Sequence, residues 1–159
     1  MATPTHQELG AIGRQIIDSN RYMTLGTADE SGQPWVSPVW YAPAGYRELF
    51  WVSSPEARHS RNLATRPELA IVIFDSTAPI GTGGEHAVYM SALAEQPAGG
   101  DLDQGIEVFS RRSEEQGGRA WTREDVLPPA PYRLYRATVS EHSMLDPAVS
   151  PDRRTPVTL

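Results

Sequence analysis

Three short β-branched and aromatic segments lie between Tyr22 and Ser53, with only turn residues between them. YMTLGTA (Tyr22–Ala28) and WVSPVWYA (Trp35–Ala42) flank DESGQP. PAGYRE then leads into LFWVS (Leu49–Ser53). Such spacing leaves no room for crossover helices, so these strands must form an antiparallel meander. Pro38 interrupts the second strand. It cannot donate a ladder hydrogen bond, which predicts an edge or a bulge there.

The rest of the chain fits around this meander. Thr5 with Glu8 three residues on has capping-box spacing, and Leu9, Ile12, Ile16 and Ile17 form one apolar stripe. Together they predict a helix over Pro4–Asn20. Ser54–Pro67 predicts a second helix, with Pro55 and Glu56 at its start and Ala57, Ser60, Leu63 and Ala64 inward. Glu68–Asp75 is the most apolar run and predicts a central strand, and His86–Glu95 predicts a fifth. Leu102–Gln116 predicts a helix burying Leu102, Ile106 and Phe109, with Val108 a further candidate; Gly117 and Gly118 stop it. Trp121–Pro131 is a Pro-rich connection, and Tyr132–Glu141 alternates as a last strand. Five or six antiparallel strands with few helices predict a mainly β (α+β) fold, a closed or partly closed barrel that removes exposed edges. A single domain over residues 1–145 is expected, followed by a polar tail over 146–159.

Composition narrows the chemistry. The 159 residues carry 20 acidic and 14 basic side chains, and all 14 basic ones are arginine. Without cysteine there is no disulfide, thiolate metal site or cysteine nucleophile. Without lysine there is no Schiff base and no Walker-type phosphate loop. A net charge of -6 argues against a nucleic-acid partner. No apolar run approaches a membrane span, and the N-terminus lacks a signal pattern, so a cytoplasmic location is expected. The four histidines lack paired ligand spacing, which predicts no metal site. The glycines of GTGG, Gly81, Gly83 and Gly84, have the wrong spacing for a dinucleotide fingerprint.

The chemistry concentrates in VSSPEARHSRNL, Val52–Leu63. Hydroxyls and free backbone N–H groups gather where a helix begins, and a helix start favours anions. Arg58, His59 and Arg61 follow within a turn, and arginine grips phosphate oxygens bidentately. The segment is a candidate phosphate site; solvated surface arginines are the competing reading. Trp35, Trp40 and Trp51 offer flat surface for a ring system or a subunit interface, or else simply pack the core.

YMTLGTADESGQPWVSPVWY, LFWVSSPEARHSRNLATRPELAIVIFD and AVYMSALAE, taken jointly and in order, resemble the pyridoxamine 5'-phosphate oxidase-like family of flavin-binding split β-barrels. The resemblance covers Tyr22–Glu95 and implies a six-stranded antiparallel split β-barrel with flanking short helices. It implies an FMN-dependent oxidoreductase, a homodimer with FMN at the subunit interface and a small-molecule substrate. It puts the FMN phosphate on Ser53, Arg58 and His59, with Arg61 near. Ser37, Pro38, Val39 and Trp40 would run along the isoalloxazine, and Val52 would lie beside the ribityl chain or ring. Relatives of this kind also use a deazaflavin, whose acidic tail asks for cationic groups near Arg58 and Arg61. A non-catalytic flavin or haem carrier is a further alternative. The sequence departs from the family at His59, often lysine, and at Ala92, often glycine. Its tail lacks the substrate-binding motif of the true oxidases, so the vitamin substrate is not implied. Asp152, Arg153 and Arg154 either form part of a solvated tail or reach a neighbouring site.

Overall fold

The computed structural model describes residues 4–81, 86–146, 151 and 153–159. Gly83, Gly84 and Asp152 lie outside the described residues. The elements run α1 (His6–Ser19), β1 (Tyr22–Ala28), β2 (Pro34–Trp40), β3 (Ala42–Ala44), β4 (Glu48–Ser53), α2 (Arg58–Thr65), β5 (Glu68–Phe74), β6 (Ala87–Glu95), α3 (Gly99–Glu115), α4 (Arg123–Val126), β7 (Arg133–Asp146) and β8 (Arg153–Val157).

One antiparallel sheet follows the path β2-β1-β5-β6-β7-β4-β3, with β8 added on β7. It has eight strands where six were expected, for two reasons. Trp35–Ala42 is broken at Tyr41, which leaves the ladder to bury its ring and donate its hydroxyl to the Ile17 carbonyl at 2.5 Å. The residues after it form β3. In addition, part of the polar tail pairs as β8 (Asp146↔Arg153 through His142↔Val157), so a wholly solvated tail is incorrect. β2 ends the path, where Pro38 is tolerated on an edge strand.

Strand alternation creates the core. Met23, Leu25 and Thr27 of β1, and Leu69, Ile71 and Ile73 of β5, turn to one buried face. They meet Leu9, Ile16 and Ile17 of α1, whose capping box between Thr5 and Glu8 is present at both bonds. A second cluster lies under α3, where Leu102, Ile106 and Phe109 pack on Phe50, Leu134 and Val126. Trp40 and Trp121 meet the Phe109 ring edge-on at 4.8 and 5.3 Å. α4 sits inside the expected Pro-rich connection, started by a capping box between Thr122 and Asp125. Arg136 of β7 binds Glu48, Glu95 and Asp101, tying β4, β6 and α3 to one side chain.

α3 approaches the sheet closely through Gly105. A Cβ there would lie 2.7 Å from Phe50 Cε1 and 2.8 Å from Leu134 Cδ2. Gly105→Val is therefore expected to destabilise the fold by about 1–3 kcal/mol through overpacking, read as a lower urea midpoint. An unchanged midpoint would mean that α3 has freedom to move off the sheet.

Candidate functional site

Alternation along β2 sends Trp35, Ser37 and Val39 to one face and Val36, Pro38 and Trp40 to the other. The indole Nε1 of Trp35 donates to Ser37 Oγ at 3.0 Å, which fixes both side chains on the exposed half of that face. β4 ends at Ser53, and a turn carries the chain to α2. In this turn Ala57 N donates to the Ser54 carbonyl at 3.1 Å and Glu56 N to Ser54 Oγ at 3.1 Å. The helix starts only at Arg58. Pro55 and Glu56 belong to the turn, which corrects the expected start. No side chain caps Ala57, so the first backbone N–H groups of α2 remain available.

The inward face of α2 also differs from expectation. His59, Ser60, Asn62 and Leu63 are buried, whereas Ala64 is exposed. Asn62 explains the rotation: its Nδ2 donates to the buried Thr27 Oγ1 at 3.0 Å and pins α2 on β1. This rotation swings the imidazole of His59 between two strands. Its Nε2 lies 2.7 Å from Ser53 Oγ and its Nδ1 3.2 Å from Ser37 Oγ. Burial pushes its pKa below the usual histidine value, so the ring is neutral at pH 7.

Arg58 lies outside this cluster, exposed, with its guanidinium carbon 4.3 Å from the Trp35 ring centroid. Among the described residues no carboxylate comes within salt-bridge distance of Arg58 or Arg61. Both line a shallow depression of about 340 Å³ that also contains Asp29 and Glu30. Asp29 is held below the usual carboxylate range chiefly by its bonds to Ser31 and Gln33, with a smaller contribution from Arg58.

The structure thus brings Ser37, Ser53 and His59 together, with Arg58 next to them on the Trp35 ring and Arg61 beside Arg58. Val39 points into the main core. Trp40 and Val52 pack on the second cluster, where Trp40 Nε1 donates to Gln116 Oε1 at 2.7 Å. Pro38 is exposed on the edge strand. Three residues beside the site were absent from the expected phosphate set. Trp35 orients Ser37 and carries Arg58, and the i, i+2 spacing of Trp35 and Ser37 on one strand was the available signal. Asp29 and Glu30 share the arginine depression, which nothing local in the sequence indicates.

The other face of the sheet carries a groove of about 510 Å³ crossing β1, β5, β6, β7 and β8. Its floor is made of small or polar residues such as Thr24, Gly26, Ala70 and Ser91. Arg154 of β8 lies across Tyr89, 3.8 Å from its ring centroid. On the exposed side are Val36, Phe74 and Leu93, at 62%, 48% and 55% exposure. Among the described residues, no group of three or more His, Asp or Glu side chains converges to hold a metal ion. No helix of the described residues is long and apolar enough to cross a membrane.

A curled antiparallel sheet flanked by short helices, with hydroxyls and arginines at its second helix, is a split β-barrel of the pyridoxamine 5'-phosphate oxidase-like type. The sequence model of the pyridoxamine 5'-phosphate oxidase family matches residues 13–145, and the chain belongs to that family. No curated protein matches the sequence. Among solved structures, a haem-binding protein from Mycobacterium smegmatis superposes with a TM-score of 0.72 at 22% identity, covering 98% of this chain. The chain spans 60% of that protein's length. HutZ, a haem storage protein from Vibrio cholerae, gives 0.63 at 21% identity, over 80% of this chain and 87% of its own. An F420 reductase gives 0.59 at 17% identity, over 82% and 95%. At these identities the likeness is one of fold.

Proposed function

We propose that the protein binds FMN through its phosphate at Ser37, Ser53, Arg58 and His59 and works as a flavin-dependent oxidoreductase on a small-molecule substrate. The observation that carries this reading is the convergence of two serine hydroxyls, an imidazole and an unpaired guanidinium beside an uncapped helix start. That donor set suits a phosphate monoester dianion. FMN would supply the electron transfer; the chain's residues bind its phosphate and orient it.

Two cofactor alternatives fit less well. A deazaflavin with an acidic tail needs a net cationic surface, but Asp29 and Glu30 offset Arg58 and Arg61 in the shared depression. Haem needs an open axial ligand. The imidazole of this site is His59, and both of its ring nitrogens are engaged, by Ser53 Oγ at 2.7 Å and Ser37 Oγ at 3.2 Å, so it offers haem no open nitrogen there. The outer sheet face, with Val36, Phe74 and Leu93 uncovered beside a floor of small residues, supports a homodimer that buries it.

Purified protein mixed with FMN, riboflavin, deazaflavin and haem in parallel tests this reading. The expected result is a flavin spectrum retained through gel filtration, with FMN bound more tightly than riboflavin, at a light-scattering mass of two chains. Reduction of the bound flavin by NADH or NADPH separates an enzyme from a carrier. Protein that stays colourless in excess FMN, or prefers haem, overturns the proposal.

A further inference from the structure

His59 links β2 and β4, two strands that are not paired with one another in the sheet. Ser53 Oγ of β4 lies at its Nε2 and Ser37 Oγ of β2 at its Nδ1. A neutral imidazole has one N–H and one lone pair in the ring plane. One serine can therefore accept a hydrogen from the ring, while the other must give its own hydrogen to the ring. A hydroxyl whose hydrogen points at His59 has none to offer a ligand. Ser37 has little latitude, because it already accepts the Trp35 indole N–H. An imidazolium behaves differently. It donates from both nitrogens, so both serines become acceptors toward the ring and both of their hydrogens are free to point outward.

We infer that His59 is a proton-operated positioning residue: when a phosphate dianion binds at Ser37 and Ser53, the ring takes up one proton from solvent, and the second hydroxyl turns to donate to the anion. This rests on the reading that the site holds a flavin phosphate, and it adds how that site responds to pH.

The surroundings fit such a switch. The charged groups on the elements packed about the ring are Arg58 and Arg61 of α2, Asp29 and Glu30 of the β1–β2 turn, Glu56 ahead of the helix, Arg133 across from Ser53, Glu48 at the far end of β4 and bound to Arg136, and Glu95 of β6. Glu95 is bound to Arg136. Burial is the cause of the lowered pKa of the ring, and no carboxylate offsets it. The ligand-free ring is therefore neutral at pH 7, and a dianion at the serines is what brings the proton on.

The sign follows from linkage. The complex holds its proton to a higher pH than the free protein does. Between the two pKa values, affinity falls as pH rises, by up to about tenfold per pH unit for one proton. Above the pKa of the complex the affinity is flat. Lysine, with an ordinary pKa of about 10.4, would remain charged throughout.

The test is FMN titration between about pH 6.5 and 9, above the second ionisation of the phosphate at about 6. Wild-type affinity is expected to fall about tenfold or more across that range, while riboflavin affinity stays flat. His59→Lys should make the FMN profile flat and tight, and His59→Gln flat and weak. Titration calorimetry in buffers of different ionisation enthalpy should count close to one proton taken up by the wild type at neutral pH and none by His59→Lys. The wild-type proton count requires no variant, so a substitution that fails to fold leaves the test intact. FMN that binds more tightly than riboflavin, with a flat pH profile and no proton uptake, would overturn the switch and leave the phosphate site standing. FMN that never binds, or binds no better than riboflavin, overturns both.

Discussion

Replacing Arg58 with alanine is expected to weaken FMN binding by about 1.5–3 kcal/mol, about 10- to 150-fold, the scale of a hydrogen bond to a charged group. Riboflavin binding should stay within about twofold, because the loss is confined to the phosphate. Arg58 is the right residue for this test. Its guanidinium is exposed, rests on the Trp35 ring and has no carboxylate partner among the described residues, so its donor fork is free. Removing it breaks no buried bond, and the exposed cation–π contact contributes only about 0.5–1 kcal/mol, so the fold should survive. Arg61→Ala should cost less, since Arg61 shares its depression with Asp29 and Glu30. Flavin fluorescence titrations of wild type, Arg58→Ala and Arg61→Ala measure all three. An unchanged FMN dissociation constant in Arg58→Ala would move the phosphate elsewhere.

What could be read from the letters follows the range of the interactions involved. β1 and β5 were legible because a short β-branched and aromatic segment and a short apolar run are local signals, and the strand period then buries Met23, Leu25, Ile71 and Ile73. The capping box at Thr5 and Glu8 is equally local. The same device at Thr122 and Asp125 marks α4, but the surrounding prolines masked it. The site was legible in its residue types and not in its geometry. An eight-residue helix with Leu63 as its one large apolar residue does not reveal its own rotation; Asn62 sets it by bonding to Thr27, which is 35 residues away. Hence His59 was legible as a phosphate-site candidate, but its burial between Ser37 and Ser53 was not. The break at Tyr41 is likewise non-local, since its hydroxyl partner is on α1. The tail misled by composition. Polar letters and prolines suggested a solvated segment, whereas the extension of β7 to Asp146, with His142, Met144 and Asp146 buried, is the pattern that a pairing strand completes.

A chain ending just before Arg153 is accordingly expected to lose about 3–5 kcal/mol of stability, seen as a lower urea midpoint and a lower Tm. Val157 is 7% exposed and belongs to the main core, and Leu159 packs against the same cluster. Burying a side chain of this size contributes about 1.5–3 kcal/mol. The ladder from His142 to Asp146 would also lose its partner, leaving an open edge on β7. The ordering entropy of the removed residues offsets part of this, which keeps the net figure below the sum of its parts. α1 is shaped for the tail: at Gly13 a Cβ would stand 3.0 Å from Leu159 Cδ2 and 3.1 Å from Met144 Sδ. Gly13→Val in the full-length chain should therefore reproduce part of the loss, despite valine being the better helix former by a few tenths of a kcal/mol. In the truncated chain the same substitution should cost less, because Leu159 is no longer there to be displaced. Strictly additive effects would show that the tail and α1 do not share a packed surface. A truncated chain as stable as the full one would show that β8 adds nothing to the sheet.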